Sequence, residues 1–375
     1  MERLPVATLP PKEKTTYKGR VLNVENLPFG YIAYNVNTIS PSSRWVSPTV
    51  YDSLQEQGLV MARSEYIHDK WRTDSYRPGV VAAIRKGDAL TLRPDIFEHR
   101  APEGSNTYGF EDPRITLMRI DGHAKVIVAN VEVDGRENIT KPTISTAFYD
   151  VENLYEHPWN ISELTRVDGK DWQIEQKSEE EYVYTARPNE HQKKGAGAGR
   201  IVVGTVKNLA DLKRESKEGF KNGALLEYPE GQELLPDEKE GGNQIILVGD
   251  GMLLLQHRAR IKELVVDTGN VGENFEHVAN PLEYVATAAY IPNLAARTTE
   301  GKIPVTRYER IASTQDVDLS DVIAKEWHLE DVLFTGGYDK GDILYGARDA
   351  SAVAIPAPEW IKQIIEQSDF AQKAA

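Results

Sequence analysis

Cysteine is absent from this 375-residue chain, which excludes disulfides, thiol nucleophiles and zinc sites of the cysteine type. Long apolar runs are absent as well, and no window approaches the ~18 apolar residues of a membrane-spanning helix. The first twenty residues, MERLPVATLPPKEKTTYKGR, lack the apolar core of a secretory signal, so a cytoplasmic protein without membrane contact is expected. An excess of basic charge is also missing: 58 acidic residues face 44 basic ones, for a formal net charge of -14. Nucleic acid is therefore not an expected partner, because phosphate neutralisation along a backbone needs a basic face. A local basic pocket for a single phosphate is not excluded. Motifs of several familiar chemistries are lacking too, among them a Walker loop, a Gly-x-Ser-x-Gly elbow and a His-Glu-x-x-His pair.

What remains is strand. Short apolar or alternating runs occur at residues 31–36, 79–84, 125–133, 143–148, 182–186, 201–206, 244–248, 252–256, 284–291, 305–311, 331–334 and 342–345. Their lengths suit strands and not helices. Turn formers separate them, as in Asp134-Gly135, Gly241-Gly242-Asn243, Gly249-Asp250-Gly251 and Lys340-Gly341-Asp342. Two stretches read as helix, residues 209–220 and a C-terminal one from 359 to about 370, where Trp360, Ile361, Ile364 and Ile365 share a face. The polar segment 155–190 reads as an exposed excursion. So many strands with so little helix exclude an alternating β/α fold and leave sandwiches, solenoids or propellers. Five blades of roughly 65 residues fit the length, although no repeated signature is visible.

The most informative motif is Tyr108-Gly109-Phe110-Glu111-Asp112-Pro113-Arg114. Pro113 restricts the backbone of Asp112 and biases it towards an extended conformation, which aims the carboxylate by covalent geometry. Glu111 and Arg114 set opposing charges beside it. Asp-Pro is also an ordinary turn starter, so the residues alone leave both readings open. Residues 253–260 place His257 and Arg258 at the end of an apolar strand, a pair suited to phosphate or carboxylate. In Met61-Ala62-Arg63-Ser64-Glu65, alternation puts Arg63 and Glu65 on one face. Two late turns carry Tyr338 with Asp339 and Tyr345 with Asp349, aromatic and acidic residues of the kind that bind sugars. The glycine-rich run Lys194–Arg200 lacks the spacing of a nucleotide loop and precedes a strand where a phosphate loop would open a helix.

Taken in order, these segments resemble the five-bladed propeller enzymes of glycoside hydrolase family 130, the mannoside phosphorylases. Glu111-Asp112-Pro113-Arg114 is similar to their Glu-Asp-Pro-Arg signature, Leu254–Arg258 to their segment ending in His-Arg, and Val332–Gly337 with Ile343–Asp349 to their closing blade. A closer resemblance is to glycosyltransferase family 108, the mannosyltransferase/phosphorylases, and it extends over residues 60–75, 131–133, 204–209 and 241–244. Together these cover most of residues 30 to 360.

The resemblance implies an all-β, five-bladed β-propeller spanning 26–356, with an N-terminal extension over 1–25 and a C-terminal helix and tail over 357–375. It implies inverting phosphorolysis or synthesis of β-mannosidic linkages, with Asp112 as the acid/base. His257, Arg258 and Arg63 are the implied phosphate ligands. The implied sugar-contacting set is Asn35, Glu65, Asp74, Glu111, Arg114, Glu132, Asn243, Gln244, Tyr338, Asp339, Tyr345 and Asp349. The expected partners are a manno-oligosaccharide and inorganic phosphate or mannose 1-phosphate. A nucleotide-mannose is the alternative donor, a homo-oligomer is left open, and no cofactor or metal is implied. Two rivals are an inverting β-mannosidase on the same propeller and a non-catalytic carbohydrate-binding propeller. What faces Asp112 decides between the enzymes: Arg63, His257 and Arg258 favour phosphate, whereas Glu65, Glu132, Asp339 or Asp349 would favour water.

Overall fold

Runs such as Val80-Val81-Ala82-Ala83 and Ile343-Leu344 have both faces buried, because each sheet they belong to is packed between two others. The computed structural model describes residues 20–26, 31–66, 78–101, 107–134, 140–148, 159–166, 170–188, 199–235, 238–262, 280–313, 333–347 and 351–373. Within them the strands form five small sheets, arranged as a β-propeller. Sheet I contains Tyr31–Thr38, Leu59–Tyr66, Gly79–Lys86 and Ala89–Leu92, with Asn23–Glu25 at its edge. Sheet II contains Thr107–Ile120, His123–Asp134, Thr140–Phe148 and Asn160–Arg166. Sheet III runs through Lys170–Ser178, Glu181–Arg187, Val202–Val206 and Ala224–Glu227. Sheet IV comprises Glu238–Val248, Gly251–Lys262, Asn280–Ile291 and Arg307–Ser313. Sheet V has Leu333–Asp339, Asp342–Ala347 and Ser351–Pro356, and is completed by Arg20–Val21.

The first strand of each sheet lies innermost. These strands touch in the cyclic order I, II, III, IV, V and back to I. Five apolar clusters fill the five spaces between neighbouring sheets. Met61, Val80, Ile115 and Val128 lie between I and II; Met118, Ile127, Ile174 and Tyr184 between II and III. Val183, Val203, Leu254 and Ala289 lie between III and IV, Leu253, Ile311, Ile343 and Val353 between IV and V, and Ala33, Val60, Leu344 and Ala354 between V and I. Burying a side chain of this size contributes about 1.5–3 kcal/mol, so the ring is held at every seam.

The described residues include three α-helices, one more than the sequence suggests. Helix α1, Pro48–Gln57, has proline in its first turn and a left-handed Gly58 at its end, and it buries Val50 and Leu54 at i, i+4 spacing. Helix α2 spans Leu209–Lys217, with the Asn208 side chain accepting from Asp211 N. Helix α3, Glu359–Lys373, packs Trp360, Ile361 and Ile365 against sheets IV and V. The end of the expected N-terminal extension is not loose: residues 20–21 pair with sheet V and residues 23–25 with Ala89–Leu92. The segment read as an excursion contains the innermost strand of sheet III, Lys170–Ser178, in which Asp171, Gln173, Glu175 and Gln176 are buried.

One irregularity recurs in every sheet. Each innermost strand slips register against its partner, and the slip leaves out Asn35 in sheet I, Asp112 in II, Asp171 in III, Asn243 in IV and Gly336-Gly337 in V. Such bulges re-aim side chains out of a ladder. The first three are left-handed, with φ 52, 49 and 51. Asn and Asp tolerate this region better than other side chains do. In sheet V the glycines serve close approach, since a Cβ on Gly336 would lie 1.8 Å from the Val36 carbonyl oxygen. The repeat missing from the sequence is thus present in the backbone.

Candidate active site

The bulges turn Asn35, Asp112, Asp171 and Asn243 out of their ladders, and the side chains opposite them complete the site. Asp112 is not extended, as its proline neighbour suggests, but left-handed. Arg114 secures it by donating from Nη1 to the Asp112 carbonyl oxygen at 2.8 Å. A strained residue held by its surroundings is a frequent mark of a functional position. The Asp112 carboxylate is gripped on one oxygen only. Oδ1 accepts from Asn35 Nδ2 at 2.8 Å and from Arg63 Nη1 at 3.3 Å. Oδ2 has no hydrogen-bond partner among the described residues, and 26% of the side chain remains open. That leaves one oriented oxygen for proton transfer. Glu111 pairs with Arg63 Nη2 at 2.9 Å.

His257 belongs to the same group. Its Nδ1 lies 2.8 Å from the Asn243 Oδ1, which only accepts, so Nδ1 carries the hydrogen and Nε2 is the acceptor nitrogen. Burial holds the imidazole down at about 4, and it is neutral at pH 7. Gly241 makes room for it, because a Cβ there would sit 2.4 Å from the His257 Cε1 and 2.8 Å from the Asp171 Oδ2. The Gly241-Gly242-Asn243 segment, read from sequence as a turn, is therefore the bulged part of a strand.

Arg114 serves as a brace. Besides the Asp112 carbonyl, it donates to Asp171 Oδ1 at 3.0 Å and to the Gly242 carbonyl at 2.9 Å, which ties sheets II, III and IV together. Sequence reasoning missed Asp171 and Arg187. Arg187 ends the second strand of sheet III opposite Lys170, the residue before the Asp171 bulge, just as Arg63 lies opposite Tyr34 before the Asn35 bulge. Its Nε is 3.0 Å from Asp171 Oδ2 and its Nη1 donates to the Glu240 carbonyl at 3.3 Å. Nη2 has no partner among the described residues, and a fifth of the side chain is open. The sequence signal was an arginine closing an alternating strand just before Pro188.

Several expected residues are placed elsewhere. Arg258 follows His257 in a strand, so it points to the opposite face. There its guanidinium lies between the Tyr228 and Tyr308 rings, 4.4 and 4.3 Å from their centroids, and donates to the Gln232 carbonyl at 2.8 Å. It holds the connection leading into sheet IV. Arg258→Ala is accordingly expected to lower stability by about 2–3 kcal/mol through lost cation–π and hydrogen-bond contacts. Half-saturation by phosphate should stay within about twofold of wild type, as checked by melting and by phosphate titration; a large rise would return Arg258 to the anion site. Asp339 is buried and bound by Arg85, which also donates to Asp342 at 2.6 Å. Tyr338 packs against the cluster beneath helix α3, and Gln244 bridges Thr38 O and Tyr338 N. Glu132 is half-buried, opposite Phe110. Glu65 and Tyr345 occupy strand positions opposite Ile32 and Thr335. Asp74, Asp349 and most of the glycine-rich run lie outside the described residues.

Four residues beyond Asp171 on the same strand, about 13 Å along the axis, Glu175 is completely buried. Ser43 Oγ contacts its Oε2 at 2.9 Å and Thr116 Oγ1 its Oε1 at 3.0 Å. Ser43 belongs to a 3-10 turn, Pro41–Trp45, that crosses the ring; Ser40 donates to Ile245 O in sheet IV and Trp45 to Gln176 O in sheet III. Burial pushes the Glu175 carboxyl up to about 8.

No protein-family model and no curated protein matches the chain. Among solved structures it is similar to MPT-4, a mannose phosphorylase from Leishmania mexicana in complex with phosphate ion. That similarity has a TM-score of 0.61 and 15% identity, over 94% of this chain and 91% of that one. It is also similar to a levansucrase from B. megaterium, with a TM-score of 0.41 and 12% identity over 93% and 87% of the two chains. At 15% identity the likeness to MPT-4 is one of fold.

Proposed function

We propose that the protein is a carbohydrate-active enzyme, an inverting phosphorylase that cleaves or forms β-mannosidic linkages with Asp112 as its single acid/base. The observation that carries this reading is a carboxylate with one open oxygen, set among Arg63, Arg187 and a neutral His257. Of the carboxylates beside it, Glu111 is paired with Arg63, and Asp171 with Arg114 and Arg187. An inverting hydrolase needs a second free carboxylate to activate water, whereas in a phosphorylase the anion is itself the nucleophile. Mannose and the β linkage rest on the sequence resemblance, as do a nucleotide-mannose as alternative donor and a cytoplasmic location. We also read each of the five sheets as a blade, on the strength of the recurring bulge and the five apolar seams.

In this reaction an oxygen of hydrogen phosphate attacks the anomeric carbon from the face opposite the leaving group. The glycosidic carbon–oxygen bond breaks while Asp112 gives its proton from Oδ2 to the departing oxygen, directly or through a sugar hydroxyl. The phosphate's own proton, released as the ester forms, restores Asp112 through solvent. Arg63 and Arg187 offset the charge of the phosphate, and His257 Nε2 accepts from its P–OH.

The test is to incubate the protein with β-manno-oligosaccharides with and without inorganic phosphate. Mannose 1-phosphate formed only when phosphate is present is the expected result. Free mannose released at the same rate in either case would establish the hydrolase instead. Binding without turnover would leave a carbohydrate-binding propeller.

A further inference from the structure

Among the described residues, Asp171 is the one carboxylate besides Asp112 that occupies a left-handed bulge on an innermost strand. A carboxylate in this place is a candidate for the water-activating base of a hydrolase. Its surroundings point elsewhere. Arg114 Nη2 lies 3.0 Å from Oδ1 and Arg187 Nε 3.0 Å from Oδ2, and 5% of the side chain is exposed. A buried carboxylate with a guanidinium 3.0 Å from each oxygen has its charge offset by two cations and is closed off from bulk water. Its two partners differ. Arg114 has every nitrogen committed, to Asp112 O, Gly242 O and Asp171. Arg187 is committed through Nε and Nη1 and presents Nη2.

We infer that Asp171 is a positioning residue: it fixes the Arg187 guanidinium so that Nη2 is directed at an anion beside Asp112, and through Arg114 it sets the backbone carbonyl of Asp112 itself. This rests on the phosphorylase reading and deepens it, because it assigns the anion site a ligand and a support that the sequence did not reveal. A guanidinium held at Nε points its two terminal nitrogens in fixed directions, which an ammonium at the same place cannot do. Ion pairing also keeps Asp171 from repelling the phosphate, since its charge is offset by two cations within the same buried group.

The experiment measures binding of inorganic phosphate by calorimetry, and turnover with β-manno-oligosaccharide, on the full chain. Asp171→Asn is expected to weaken phosphate binding at least tenfold and to raise half-saturating phosphate in step, while kcat at saturating phosphate falls less than threefold. Arg187→Ala should match it, and adding Asp171→Asn to Arg187→Ala should cost less than a further twofold, the mark of two residues acting as one. Should Asp171→Asn fail to fold, Arg187→Lys carries the test, because it keeps the charge and loses the fork. Weakened binding in that variant supports the assignment, and wild-type affinity overturns it. Unchanged phosphate binding in Asp171→Asn would likewise overturn it, as would loss of kcat without loss of binding, the signature of a base. A wild type that binds no phosphate would overturn the phosphorylase reading and this inference together. The two failures are distinct, because the first appears in the wild type and the second only between wild type and variant.

Discussion

Asp112→Asn is expected to lower kcat on the natural linkage by about 10²–10⁴, the usual contribution of a placed general acid. The substitution suits the site. Asparagine tolerates the left-handed backbone that Asp112 adopts, and its amide oxygen can still accept from Asn35 and Arg63 in place of Oδ1. Folding, sugar binding and melting temperature should therefore change little. What is lost is the proton on the open oxygen. A substrate whose leaving group departs without protonation should recover much of the rate, provided it fits the acceptor site. Comparing the two substrates on wild type and variant checks the role, and near-normal turnover of the natural linkage in the variant would remove Asp112 from catalysis.

The second large effect is on stability. Burial pushes the Glu175 carboxyl from 4.5 in the open chain up to about 8. Between those values the unfolded chain ionises and the folded one does not, so unfolding releases a proton and stability declines as pH rises. Below about 4.5 both states keep the proton, and above about 8 the loss is complete. At about 1.4 kcal/mol per pH unit the full decline is on the order of 5 kcal/mol. Glu175→Gln removes the ionisation while keeping an acceptor for Thr116 and adding a donor for Ser43. The variant should melt several degrees above wild type at pH 8.5, and the two curves should converge near pH 4.5. Parallel curves across that range would show that Glu175 does not titrate as its burial demands.

Both effects bear on what could be read before the fold was known. The apolar strands were legible because each is covered on both sides by neighbouring sheets, so hydrophobic runs mark them directly. Asp112 was legible because Pro113 singles it out. The innermost strand of sheet III was not: Asp171, Gln173, Glu175 and Gln176 are buried around a polar axis, and a polar run reads as surface when periodicity is the guide. Arg187 stayed hidden for a related reason, since its importance derives from Asp171. Arg258 was misplaced because adjacency in sequence is opposition across a strand. The bulge repeat escaped notice because it conserves a backbone shape, and Asn, Asp and Gly can each adopt it.

Sheet V is finished by residues 20–21, whose partners are Ala354 and Val353 at the other end of the chain. The same seam carries Arg20 to both Asp88 and Asp342, and Arg85 to Asp339 and Asp342. The contacts to Asp339 and Asp342 join segments more than 250 residues apart, so the entropy of closing most of the chain must be met before they form. Ring closure is then the late event of folding. Until it happens the outer edge of Ser351–Pro356 presents unpaired backbone groups that invite a strand from another molecule. Conditions that screen the Arg20 and Arg85 pairs during refolding should therefore lower the yield of monomeric protein more than they lower the melting temperature of the finished ring.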